Sequence, residues 1–240
     1  MKIDLLYALV KMPLILSYIH VTLWISSCSM VLTLGFSLVI TIIRYYKIRI
    51  RTPIVNIYID IFRGTPLLTQ MFFIYYGLAQ IFTVFRDMQP ITASILVLAL
   101  NASAYTTENM RSALESVPRG QTEAGLAVGM TNLQVMWHIV LPQATKVAVP
   151  VLANDFIALL KNSSMAFTLG VREIMGEASL VGNAGFRFFE AYLDAFILYF
   201  VLSKIISFGQ KKLEERFHLQ GRSAWSVCSV SRDWKNSLEN

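Results

Sequence analysis

Catalytic machinery is what this 240-residue sequence has least of. Its three histidines, His20, His138 and His218, are far apart, so neither an HExxH motif nor any other close histidine pair is present. No GxSxG elbow presents a nucleophile, and no GxxxxGK[ST] loop cradles a phosphate, so the chain is not expected to hydrolyse ATP itself. Its two cysteines, Cys28 in an apolar run and Cys228 in a polar tail, form neither a CxxC pair nor a disulfide framework. Charge is scarce as well, at 15% of residues against 55% hydrophobic, which is outside ordinary soluble usage. The net charge of +6 does not point to nucleic acid, because the basic residues gather at the ends of apolar runs. An intramembrane hydrolase would need an acid pair or a nucleophile with its base, whereas Asp60 and Asp155 each stand near a basic residue.

What is there instead is a series of apolar runs. A helix needs about 20 apolar residues to cross a hydrocarbon core of about 30 Å. No charge falls between Lys11 and Arg44, and the first span is expected over 17–43. Its run is too long for a signal-peptide core and has no small-residue cleavage site, so it is expected to stay in the mature protein. His20, beside Tyr18 and Trp24, reads as an interfacial residue. The second span, uncharged over 64–85, is expected to break at Gly64-Thr65-Pro66, because Pro66 removes a backbone donor and disfavours helix at the residue before it. Asp60 and Arg63, three apart, are expected to share a face and pair. The third span, 88–107, crowds Asn101, Ser103, Tyr105, Thr106 and Thr107 into its second half, and lipid offers such groups no partner. The fourth, 147–169, carries Asn154, Asp155, Lys161, Asn162 and Ser163. Asp155 is its deepest ionisable group and a functional-site candidate; pairing with Lys161, six residues on, is poorly aligned on a helix. The fifth covers 191–208, after a glycine-rich loop over 170–190. The final residues, 222–240, keep no regular period and read as a poorly ordered extension.

The fold class is therefore an all-α membrane protein with five transmembrane helices. Basic residues after spans one, three and five place those ends in the cytoplasm, with the N-terminus outside and the C-terminus inside. Between spans three and four lies a polar, glycine-punctuated stretch, 121–142. Glu123 to Val128 has helix-forming composition, Gly129 permits the positive φ that ends a helix, and a second helix is expected to stop before Pro142. A short amphipathic helix held between two spans is a surface that a partner can grip.

This stretch also carries a resemblance. Glu123, Ala124, Gly125, Gly129, Ile139, Leu141 and Pro142 match the E-A-A-x3-G-x9-I-x-L-P loop of ABC importer permeases in spacing throughout, with glycine in place of the second alanine. FRGTPLL at 62–68, SAYTTENMRSAL at 103–114, GQTEA at 120–124 and LPQATKVAVPVLANDFIALLKNSS at 141–164 extend it to the polar amino-acid permeases of type I importers. The chain departs from family patterns at Asp155, where NDF replaces NEF, and at 161–164, where KNSS replaces KDTS.

The resemblance implies a type I ABC importer permease fold over 1–219, with a coupling loop at 115–146 and a cytoplasmic tail at 220–240. It implies a transport subunit of the bacterial inner membrane rather than an enzyme. The implied partners are two ATPase subunits, a second permease copy or homologue, and an extracytoplasmic substrate-binding protein. No cofactor is implied for this chain; ATP and magnesium belong to the partner ATPase. The cargo would be a polar amino acid, with cystine or an amino-acid derivative as alternatives. Asp155 would attract its amino group, with Asn154, Asn101 and Thr107 as polar lining. The alternative function is a stand-alone ion-coupled transporter or channel, although the spans show no convincing internal repeat.

Overall fold

The computed structural model describes residues 4–45 and 51–226, and among them all regular structure is helical. Among the described residues four helical stretches are long and apolar enough to cross a membrane: Ile19–Arg44, Pro90–Glu115, Asn132–Leu169 and Phe188–Lys212. The expected second crossing is not one helix. Helix α3 (Arg51–Gly64) stops at the predicted break, α4 (Leu67–Phe72) restarts after Pro66, and a wide turn at Phe73–Gly77 and a tight one at Leu78–Gln80 lead to the short α5 (Thr83–Arg86). In sequence order these follow α1 (Leu5–Leu16) and α2 (Ile19–Tyr45). Most of the basic loop expected after the first span, including Lys47 and Arg49, lies outside the described residues.

The core is built on α2 against α6 (Pro90–Glu115). Thr22, Ser26, Ser29, Thr33, Ser37 and Thr41 recur at helical spacing along α2, and all are buried. Small hydroxyl residues let two backbones approach and donate across the seam. Ser29 Oγ gives a hydrogen bond to the Ile95 carbonyl at 3.2 Å and Thr33 Oγ1 one to Ala99 at 3.4 Å. Ile25, Val97, Leu98 and Leu159 fill the apolar cluster beside them.

Two regions depart from expectation. The 170–190 stretch, expected as a loop, contains helix α10 (Ile174–Gly185), and α1 precedes the first span as a separate helix. Glu173 is the N-cap of α10: its Oε1 accepts from Gly176 N at 2.8 Å. Its Oε2 accepts from Tyr199 Oη at 2.5 Å and from Thr22 Oγ1 at 3.4 Å, so one fully buried carboxyl ties α2, α10 and the last helix together. Burial pushes that carboxyl above the ordinary glutamate range, although its three donors pull the other way. Helix α1 docks on the same side through the fully buried Ile15 and an Asp4–Arg187 ion pair of 2.7 Å. The Arg187 guanidinium holds the Asp4 carboxyl below its usual range.

The last helix, α11 (Phe188–Ser226), also runs well past the expected end at Phe208. Its 39 residues extend about 58 Å at 1.5 Å per residue, nearly twice the hydrocarbon core. The first residues of the expected 220–240 tail are therefore helical, and 227–240 lie outside the described residues.

Candidate functional site

The break after α3 leaves backbone groups that lipid cannot satisfy. Pro66 has no N–H to give the carbonyl of Phe62, four residues earlier. Two buried amides take its place. Gln70 Nε2 donates to the Phe62 carbonyl at 2.9 Å and to the Thr65 carbonyl at 3.0 Å. Asn101 Nδ2 donates to the Phe62 carbonyl at 3.2 Å and to Gln70 Oε1 at 3.0 Å. The break is thus braced open, and it forms one wall of a cavity of about 580 Å³. The opposite walls come from α6 and from α9 (Leu141–Asn162).

Asp155 projects from α9 into this cavity. Its Oδ2 accepts from Thr106 Oγ1 at 2.8 Å, and both oxygens accept from Asn109 Nδ2, at 3.0 and 3.1 Å. The expected alternative, a salt bridge to Lys161, is absent among the described residues. Neutral donors orient the carboxylate without cancelling its charge. Glu108, also on the wall, is engaged by Arg44 from α2 and by Arg111 from its own helix, the latter at 3.0 Å. The expected Asp60–Arg63 pair is not formed among the described residues either. Arg63 instead turns to the cavity, with its guanidinium carbon 5.5 Å from the centre of the Tyr105 ring.

Below the cavity the polar stretch forms two short helices. Helix α7 (Arg119–Ala127) ends at Gly129, whose φ of +87° is open to glycine at little cost. The N–H groups of Gly129 and Met130 close back on the carbonyls of Leu126 and Gly125, at 3.0 and 3.1 Å, a Schellman ending. Thr131 then caps α8 (Asn132–Val135) in a reciprocal capping box with Gln134. Contrary to expectation, the helix does not stop before Pro142. A wide turn at Met136–Val140 carries it into α9, loosening the ladder where the proline ring and its missing N–H would strain a regular helix.

The family model described as "Binding-protein-dependent transport system inner membrane component" matches residues 34–219. The chain belongs to this family. As such a permease, it is 39% identical over 221 residues to the probable amino-acid ABC transporter permease protein PatM of Vibrio harveyi, covering 90% of this chain and 99% of that one. It is 32% identical over 206 residues to the L-cystine transport system permease protein TcyB of Bacillus subtilis (strain 168), covering 85% and 86%. The crystal structure of an amino acid ABC transporter with histidines superposes with a TM-score of 0.84 at 31% identity, covering 90% of this chain and all of that one. The chain is therefore an amino-acid ABC transporter permease subunit, an all-helical membrane protein with the type I importer fold.

In the permease, the residues singled out from sequence fall into distinct positions. Asp155 and Asn101 line the cavity, Asn101 with its amide nitrogen already committed to the brace. Asn154 is exposed on α9 outside the wall, and Thr107 is fully buried, donating to the Ser103 carbonyl at 2.7 Å. Thr106, one position earlier, meets Asp155 instead. Positions 101, 102, 105, 106, 108 and 109 form one helical face toward the cavity, and 107 is turned about 100° from 106.

In the loop, Glu123, Ala124, Gly129 and Pro142 are exposed, while Ile139 and Leu141 are half-buried. Gly125 is buried, and a Cβ there would come within 2.8 Å of Ile139 Cδ1 and 2.9 Å of Val135 Cγ2. The glycine that departs from the family motif thus permits α7 to sit close against the following turn. Leu126, Val128, Leu133 and Trp137 are exposed apolar residues that the motif does not mark.

Proposed function

We propose that this permease moves a polar amino acid into the cytoplasm, driven by ATP hydrolysis, with magnesium, in two partner ATPase subunits. A substrate-binding protein delivers the cargo to the outer face, and a second permease copy or homologue completes the path. The N-terminus lies outside and the C-terminus inside the bacterial inner membrane. The observation that carries this reading is Asp155: a carboxylate within a membrane bundle, held by a hydroxyl and an amide, facing a cavity large enough for a small polar solute. Cystine and amino-acid derivatives share the amino group that such a carboxylate attracts.

The drive enters through 115–146. Glu123, Ala124 and Gly129 offer the surface an ATPase grips, Gly125 and Ile139 hold α7 against the wide turn, and Leu141 and Pro142 begin the helix that bears Asp155. Movement of the loop is passed along α9 to the cavity.

Reconstitution with the ATPase and binding protein tests the proposal. Vesicles should accumulate a radiolabelled amino acid only with ATP. Asp155→Asn should lower uptake about tenfold or more without disturbing assembly, as loss of one charge-assisted hydrogen bond to the cargo implies. Glu123→Lys or Gly129→Pro should abolish transport-coupled ATP hydrolysis while leaving the protein inserted. Normal uptake by the first variant removes Asp155 from the path, and unaltered coupled hydrolysis in the second pair refutes the loop assignment. Uptake by this chain without ATP would favour an ion-coupled transporter.

A further inference from the structure

Three side chains bring formal charge to the cavity wall: Arg63, Glu108 and Asp155. They are not equivalent. Glu108 has two guanidinium partners, so its charge is answered within the chain. Among the described residues neither Arg63 nor Asp155 joins an ion pair, with each other or with anything else. Asp155 is held by uncharged donors. Arg63 rests against the face of Tyr105, and a guanidinium within about 6 Å of a ring is steadied by the ring quadrupole while its N–H fork stays free to donate.

The fixing of Arg63 follows from the break. It is the penultimate residue of α3, which ends at Gly64 beside the break, and the break residues Thr65 and Pro66 line the same cavity, so Arg63 stands at its edge. Tyr105 stands on the same face of α6 as Asn101 and Asn109, one turn from each, and that face is the cavity wall. The cavity therefore holds one unanswered anion and one unanswered cation that do not satisfy each other. A free α-amino acid carries the same two charges in the complementary sense.

We infer that Arg63 is the carboxylate-binding residue of this site, donating to the α-carboxylate of the transported amino acid while Asp155 meets its amino group. The inference rests on the cavity being the substrate site, as proposed above. It requires a free α-carboxylate on the cargo. An amino-acid amide or ester would keep the contact with Asp155 and lose the one with Arg63.

The test is equilibrium binding to the assembled permease–ATPase complex in detergent, without the binding protein, so that selection by that partner does not intervene. The probes are radiolabelled L-arginine, L-glutamine and L-cystine, up to about 10 mM, a range that reaches weak sites. Each probe that binds is compared with its α-carboxamide. The native complex should prefer the carboxylate about tenfold or more, as expected for a charge-assisted fork. Arg63→Gln should reduce that preference to within about threefold, and Arg63→Lys, which keeps the charge, should retain most of it. Asp155→Asn should weaken both forms alike and leave their ratio unchanged.

If Arg63→Gln keeps the full carboxylate preference while Asp155→Asn weakens both forms, the role of Arg63 is overturned and the cavity reading stands. If Asp155→Asn leaves both forms unaffected, or the native complex binds none of the probes, the cavity reading falls and takes this inference with it.

Discussion

Glu173 and Asp155 are both carboxyl groups withdrawn from water inside a helical bundle, and they differ in what surrounds their oxygens. Glu173 is fully buried, and its partners are a backbone N–H and two hydroxyls drawn from three helices. Asp155 has an amide and a hydroxyl on one side and open volume on the other. The first acid is consumed by the fold; the second is only oriented by it. With Asp155 as the proposed substrate acid, burial does not distinguish it from a structural one, since Glu173 is the more enclosed. The space beside it does.

Removing each carboxyl should separate stability from transport. The largest effect is expected from Glu173→Ala. It strips an N-cap and leaves the Tyr199 and Thr22 hydroxyls without their acceptor, a loss of roughly 2–4 kcal/mol measurable as thermal unfolding of the purified complex. Uptake per assembled complex should change little; a transport defect in fully folded protein would break the contrast. Asp155→Ala should do the reverse, lowering stability by no more than about 1 kcal/mol, because Thr106 and Asn109 can turn to water in the cavity. A destabilisation as large as that of Glu173→Ala would place Asp155 among the structural acids.

The smallest effect concerns pH. Burial raises the Glu173 carboxyl above its unfolded value, so the fold favours the protonated form. The stability this contributes is complete below the unfolded pKa and is lost as pH rises through the raised folded one. Glu173→Gln cannot ionise and should flatten that decline when unfolding midpoints are compared from about pH 5 to 8. An unchanged slope would mean that another group sets it.

What the sequence disclosed follows from what is local. The apolar runs, the break at Pro66 and the turn at Gly129 depend on composition and on the backbone limits of single residues, and they are found where those limits require. The polar interruption between Pro90–Glu115 and the next long helical stretch is legible for the same reason. Direction was harder. Whether Thr106 or Thr107 faces Asp155 depends on the rotation of α6 against α9, and the three-residue spacing of Asp60 and Arg63 carries no information about Tyr105, which Arg63 meets on another helix. Glu173 lay in a segment read as loop, since a 12-residue helix rich in glycine and small residues has little periodicity of its own. The helix through Pro142 is not legible in sequence, because a widened turn absorbs the proline, an accommodation not visible in the residue itself.

The wide turn at Met136–Val140 also sets an angular phase. Between Leu141 and Asp155 the chain is one continuous helix, with Pro150 inside it. Inserting a single residue there would advance the acid by about 1.5 Å and swing it by about 100°. Asp155 would then point away from Thr106 and Asn109, although every residue of the loop and of the cavity remained. The distance from Pro142 to Asp155 is thus a timing mark, to be kept in residues rather than in ångströms. Exchanges along this stretch should be tolerated more readily than any change in its length.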